Sequence, residues 1–278
     1  MRIHGEFVGG NIIVIRQTPE EIWVENDLKD TSRDWFYWAF CAEGFAGQTI
    51  TFHFQELRLG YFGPAVSHDL KTWHWLDTVD GDNFTYTFGT EENKVYFAHD
   101  MLYGPDRFFR FAHRHGLQVE ELCTTRKGRS LPCLYLGEGE ISMLLTARHH
   151  ACESTGSYVL EGVLEELLRE PLPDVRILCV PFVDFDGVME GDQGKDRIPH
   201  DHNRDYCPHV VPIYPETAAI RNYAEENGCH YVDIYRYVED HTGRMATTYE
   251  LDQSIHMNEA GCYSWMQALK AYALLEQR

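Results

Sequence analysis

From residue 116 onward, short apolar runs alternate with amphipathic ones, and this alternation restricts the chain to a layered fold of sheet and helices. LPCLYLG (131–137), EISMLLTA (140–147) and VRILCVPFV (175–183) have the length and apolar continuity of buried strands. Between them, TGSYVLEGVLEELLREP (155–171) places apolar residues at helical spacing and stops at Pro171, and PETAAIRNYAEENG (215–228) does the same with Gly228 as its stop. HYVDIYRYV (230–238) and ATTYEL (246–251) predict two further strands, and residues 259–278 predict a closing helix. Strands that alternate with helices imply an α/β domain built on a mixed, largely parallel sheet with helices on its faces.

The first 115 residues follow another rule. DWFYWAFCAEG (34–44), QTITFHFQEL (48–57), NFTYTFGT (83–90) and KVYFAHDM (94–101) are short runs rich in aromatic and β-branched residues. Turn signals separate them, among them EGFAG, LGYFGP and DGDN. Closely spaced strands of this kind predict an N-terminal antiparallel β-sandwich over 1–115, ahead of an α/β domain over 116–278.

With 278 residues, 44% of them hydrophobic and 13% aromatic, the chain can bury two such cores. A formal charge of -20 argues against a nucleic-acid partner, because phosphate binding needs a basic face. It also requires that any anionic substrate group be met by a local cationic pocket. No apolar run of about 18 residues is present, so no membrane span is expected. The opening MRIHGEFVGGNIIVI lacks the basic and long apolar regions of a leader peptide. Eight scattered cysteines without a CxxC pair predict free thiols in a reducing cytoplasm.

Chemistry gathers in the second half. ARHHACES (147–154) stands where an apolar strand gives way to a helix, and there a turn of three residues can aim His150 and Glu153 at one point. Imidazole and carboxylate are ligands that zinc accepts, and strand ends of α/β sheets are where sites collect. The loop after the next apolar strand, DFDGVMEGDQGKDRIPHDHNRDY, is expected on the same sheet edge and holds three cations, Lys195, Arg197 and Arg204. Arg204 beside Asn203 is suited to two-point binding of a carboxylate. A polar turn and a solvated loop neutralised by internal ion pairs would produce the same residues without any site.

Taken in order, HHACES, PFVDFDGV, DHNRDY and TTYEL resemble the signatures of the zinc metallocarboxypeptidases (peptidase family M14). CTTRKGRSLPCLYLG resembles the stretch that leads into that family's first strands. WFYWAFCAEGFAGQTITFHF, KTWHW and VYFAHDMLYGP resemble the β-sandwich in front of the catalytic domain in the cytosolic carboxypeptidases. The resemblance implies a cytoplasmic metallopeptidase with Zn2+ as cofactor and a peptide or protein C-terminus as substrate. It would release C-terminal or side-chain-linked amino acids. It further implies zinc ligands His150 and Glu153, carboxylate binding by Asn203 and Arg204, and Glu250 as general base. A carbonyl-polarising cation is implied at Arg197, with Lys195 as the alternative. His149 and Cys152 are expected to be a bystander and a packing residue.

The family's third ligand is a histidine at the end of the strand after the second helix. Superposing VDIY puts Tyr235 there, His241 lies just beyond, and His230 begins the strand. His241 is the preferred candidate of the three. The stretch from this strand to ATTYEL is hairpin-sized, shorter than the family's. Two other functions remain compatible with these residues: an N-acyl amino acid amidohydrolase of the succinylglutamate desuccinylase and aspartoacylase group, which also uses HxxE, and a non-catalytic binding protein that keeps the fold without the metal.

Overall fold

The computed structural model describes residues 1–206 except 34, 56, 57, 61 and 79, then 211–229, and positions 259–261, 263, 264 and 267. The chain divides into two compact units, Met1–Gly228 and Cys229–Arg278. In the second, the described positions from 259 to 267 are helical. Glu250, His241, His230 and Tyr235 lie outside the described residues.

The first unit begins with nine strands: β1 (Arg2–His4), β2 (Ile13–Gln17), β3 (Glu21–Glu25), β4 (Ala39–Glu43), β5 (Thr49–His53), β6 (Ala65–Ser67), β7 (His74–Trp75), β8 (Asn83–Thr87) and β9 (Lys94–Ala98). They form two sheets, ordered β1-β4-β9-β6-β7 and β2-β3-β5-β8. The alternation that marks β5 as a half-buried strand puts Ile50 and Phe52 inward, and the same period in β3 puts Ile22 and Val24 inward. These side chains meet Phe40, Val95 and Phe97 of the other sheet in one core. The Phe40–Phe52 and Phe52–Phe97 ring centroids stand 5.2 and 5.5 Å apart, an aromatic contact across the sandwich.

The sandwich predicted from the sequence is present, with one pair that runs parallel rather than antiparallel. The chain leaves β3, crosses to the opposite sheet as β4, and returns beside β3 as β5. Two crossings restore the original direction, so β3 and β5 pair in parallel.

Then follow α1 (Pro105–Arg114), β10 (Glu120–Thr124), β11 (Ser130–Leu136), β12 (Ile141–Thr146), α2 (Thr155–Arg169), β13 (Val175–Val180), α3 (Phe185–Glu190), a 3-10 turn at His202–Arg204, and α4 (Pro215–Glu226). The described sheet has the order β10-β11-β13-β12. β12 and β13 are parallel, whereas β10–β11 and β11–β13 are antiparallel, so the α/β sheet is mixed. Phe108 and Phe111 of α1 bury against Leu131, Leu178, Phe182 and Leu164 in a second core, separate from that of the sandwich.

The parallel pair places the site. β12 and β13 run in register from Ile141↔Val175 to Thr146↔Val180, so both release the chain at the same edge. The pairing continues past their ends, with Val183 donating to the Ala147 carbonyl (2.9 Å) and Asp184 to that of Arg148 (2.8 Å). The loop 147–154 therefore starts beside the segment that leads into α3, and after α3 the loop 191–206 returns to it, with Cys152 donating to the Gln193 carbonyl (3.3 Å).

Candidate metal and carboxylate site

The turn that carries the two histidines is set by Arg148. Its backbone is left-handed (φ 62°), and its buried guanidinium curls back to donate to the Ala151 carbonyl and to that of Tyr103. Cys152 buries against Tyr37 and Ala39 of the sandwich, the packing role expected of it. With both flanks fixed, His150 Nδ1 comes to 3.2 Å from Glu153 Oε1. His150 Nε2 faces Asp201 Oδ2 at 3.7 Å. His149 turns away, its Nε2 3.0 Å from the Tyr206 hydroxyl, and burial pushes its pKa down to about 4.

Glu153 has a second partner, since Lys195 Nζ stands 2.6 Å from Oε1. Partial burial works to raise the pKa of Glu153. The hydrogen bonds and charges of His150 and Lys195 outweigh it and hold the carboxylate down to about 2. The Lys195 ammonium also lies over the ring of Trp35, 4.8 Å from its centroid.

Arg197 is placed differently. Its Nε donates to Asp30, Nη2 lies 2.9 Å from Asp184 and 3.4 Å from Asp192, and Nη1 is 3.1 Å from His202 Nδ1. Its side chain is buried, and its whole fork is taken up by three carboxylates and an imidazole. His202, stacked on Tyr214 at 3.7 Å, accepts that bond as a neutral ring, its pKa pushed down by burial and then by Arg197. Asp192 responds in the opposite sense: burial, then the charge of Asp30, lifts its pKa to about 7.

Asn203 and Arg204 stand exposed on the 3-10 turn. The aspartates on either side explain why these two project outward. Asp201 accepts from the amides of Arg197 (2.7 Å) and Asp196 (3.1 Å). Asp205 accepts from those of Ile213 (3.0 Å) and Tyr214 (3.0 Å) and from Thr217 Oγ1. Both ends of the DHNRD turn are thus tied inward, and with His202 buried as well, Asn203 and Arg204 are left facing solvent. Arg204 makes no ion pair among the described residues.

One imidazole nitrogen and one carboxylate oxygen converge within 3.2 Å, and a second carboxylate backs the other ring nitrogen. That is an N/O donor set of the kind zinc takes, with the outer carboxylate that fixes a ligating histidine's orientation. The described residues fit two ligands of such an ion; among them no group of three His, Cys, Asp or Glu could hold a metal. Asp201 was not singled out from the sequence, although its place in DHNRDY offered the signal. Asp30 had none, because its contact spans 30 to 197, whereas Asp184 and Asp192 share the loop of Arg197 and realise the internal ion pairing that the sequence allowed.

Comparison with known proteins bears on the fold. Residues 3–99 match the cytosolic carboxypeptidase N-terminal domain. The chain is 28% identical over 253 residues to an uncharacterized protein of Zymomonas mobilis, covering 84% of this chain and 66% of that protein. It is 25% identical over 176 residues to cytosolic carboxypeptidase 2 of Xenopus tropicalis, covering 53% of this chain and 18% of that one. Among solved structures, a metallo-carboxypeptidase from Burkholderia cenocepacia superposes with a TM-score of 0.70 at 22% identity, covering 82% of this chain and 68% of its own. One from Pseudomonas aeruginosa, in complex with (2-guanidinoethylmercapto)succinic acid, gives 0.69 at 23%, covering 82% and 67%. These likenesses establish the fold. No helix among the described residues is long and apolar enough to cross a membrane.

Proposed function

Since this chain carries the N-terminal domain of the cytosolic carboxypeptidases in front of a metallo-carboxypeptidase fold, we propose that it hydrolyses C-terminal amino acids from peptides with the help of zinc. What supports this reading is the His150–Glu153 pair, whose imidazole faces Asp201, the residue that precedes the turn with Asn203 and Arg204. His150 and Glu153 would hold the ion, with His241 as the preferred third ligand. Zinc, when bound, supplies a Lewis acid and a water whose pKa is lowered toward ~7.

The residues of the chain supply the rest. Asn203 and Arg204 clamp the terminal carboxylate by charge-assisted hydrogen bonds, which sets the scissile bond one residue away. Glu250 takes a proton from water and delivers it to the leaving amine, a contribution of roughly 10²–10⁴-fold. Between the two candidates for polarising the carbonyl, the packing favours Lys195. It is the cation in contact with Glu153, whereas the guanidinium of Arg197 is committed to Asp30, Asp184 and Asp192.

The test is metal content of the purified wild type and His150→Ala, followed by peptides with free and amidated C-termini. One zinc per chain, lost in the variant, with cleavage confined to the free C-terminus, supports this function. A wild type that takes up no zinc from a zinc-replete medium rules it out, and equal cleavage of both peptides removes Asn203 and Arg204 from their role.

A further inference from the structure

We infer, on the basis of that function, that Asp30 of the sandwich is a positioning residue for the site: it orders the loop 193–197 and so sets Lys195 beside Glu153. Asp30 lies in the connection between β3 and β4. Its Oδ1 accepts from the amide of Gln193 (2.9 Å), its Oδ2 from that of Gly194 (3.0 Å), and Oδ2 also receives Arg197 Nε. Two consecutive amides converging on one carboxylate form a backbone nest for an anion.

The amides of Asp196 and Arg197 go to Asp201, and those of Gln193 and Gly194 are left to Asp30. The loop leaves α3 at Gly191 (φ 72°), where an added Cβ would stand 2.5 Å from the Gly10 carbonyl oxygen. The chain therefore turns hard against the sandwich, with Gln193 fully buried and no strand or helix to take its donors. The sandwich provides the partners instead. The Gln193 side chain accepts from the Tyr37 amide (2.9 Å) and donates to the Tyr37 carbonyl (2.8 Å). The Asp196 carbonyl accepts from the Ser32 hydroxyl (2.8 Å), and the Asp196 carboxylate accepts from Trp35 Nε1 (3.0 Å).

Residues 193, 194, 196 and 197 are thus all anchored to the segment 27–37. Lys195, in their midst, directs its ammonium between the Trp35 ring and Glu153. Asp30 holds the residues on both sides of Lys195, through two amides before it and a guanidinium after it. The sandwich is in this sense a wall of the site.

The experiment uses the zinc-loaded full chain and Asp30→Asn, read by residue-resolved amide exchange and by peptide kinetics. The amides of Gln193 and Gly194 are expected to exchange about 10–100-fold faster in the variant, while those of β13 keep wild-type rates. Zinc stoichiometry stays at the wild-type value. The kcat on a peptide with a free C-terminus falls about 10–100-fold with KM within about twofold, the pattern of a displaced group rather than of lost binding. Asp30→Glu, which keeps the charge but overshoots both amides, does not restore kcat.

Unchanged exchange at 193 and 194, unchanged kcat, or acceleration that extends to β13 overturns the inference. Should the wild type cleave no such peptide, the proposed function fails, and the exchange rates alone still decide whether Asp30 orders the loop.

Discussion

The ring of His150 lies between two carboxylates, with Nε2 3.7 Å from Asp201 Oδ2 and Nδ1 3.2 Å from Glu153 Oε1. A ligating imidazole is oriented by what its other nitrogen meets. Asp201→Asn keeps the shape and removes the charge, so zinc affinity is expected to drop about 10–100-fold by chelator competition. Wild-type affinity in this variant would mean that Asp201 serves only the amides of 196 and 197.

Arg197 and Arg204 occupy one loop and are expected to show opposite phenotypes. Arg197 is buried among Asp30, Asp184 and Asp192, and its removal strands three carboxylates. Arg197→Met should cost about 3–5 kcal/mol in urea unfolding. Arg204 is exposed, so Arg204→Met should leave stability within about 0.5 kcal/mol and raise KM for free C-terminal carboxylates. Equal losses of stability in the two variants would contradict this division.

The division also shows where sequence reasoning reaches its limit. HHACES and DHNRDY were legible because strand, turn and next residue are fixed locally, and β12 and β13 were legible as apolar runs, so the shared edge followed. The sandwich strands with aromatic alternation were legible too. β2, exposed along its whole length, shows no alternation, and α1, which begins at Pro105, places Phe108, Phe111 and Ala112 at helical spacing inside a stretch expected to be β. The sequence allowed Arg197 to be ion-paired within its own loop, by Asp184 and Asp192, but gave no sign of Asp30, which meets it only through the fold. The parallel pairing of β3 with β5 is likewise a property of the route between sheets rather than of either strand.

Gly194 packs against the backbone of the 147–154 loop. Its φ is +73°, and a Cβ there would stand 2.4 Å from the Ala151 amide nitrogen and 3.1 Å from the His150 carbonyl carbon. Backbone cannot yield as a side-chain tip can, and the left-handed conformation adds strain of about 1 kcal/mol for any other residue. Gly194→Ala is therefore expected to weaken zinc binding as well as folding, measured by chelator competition and urea unfolding. A variant that loses stability but keeps its zinc affinity would show that the 147–154 loop holds its shape alone.

Glu216, at the start of α4, is buried with Oε2 lacking a hydrogen-bond partner among the described residues, and burial lifts its pKa to about 7. In the unfolded chain the same carboxyl titrates near 4.3. Below about pH 4 both states hold the proton and the group has no effect on stability. Between about 4 and 7 the unfolded chain releases it while the folded chain keeps it, so stability falls as pH rises; above about 7 the loss levels off. The total is on the order of 4 kcal/mol, at about 1.4 kcal/mol for each pH unit between the two values. Glu216→Gln stays neutral throughout, so its stability relative to wild type should grow from pH 4 to pH 8 by that order. Asp192, lifted in the same direction, contributes to the slope of both proteins and is removed by taking the difference. Unfolding free energies of the two proteins at pH 4, 6 and 8 decide it: a difference that does not change with pH would mean that Glu216 is already paired when ionised.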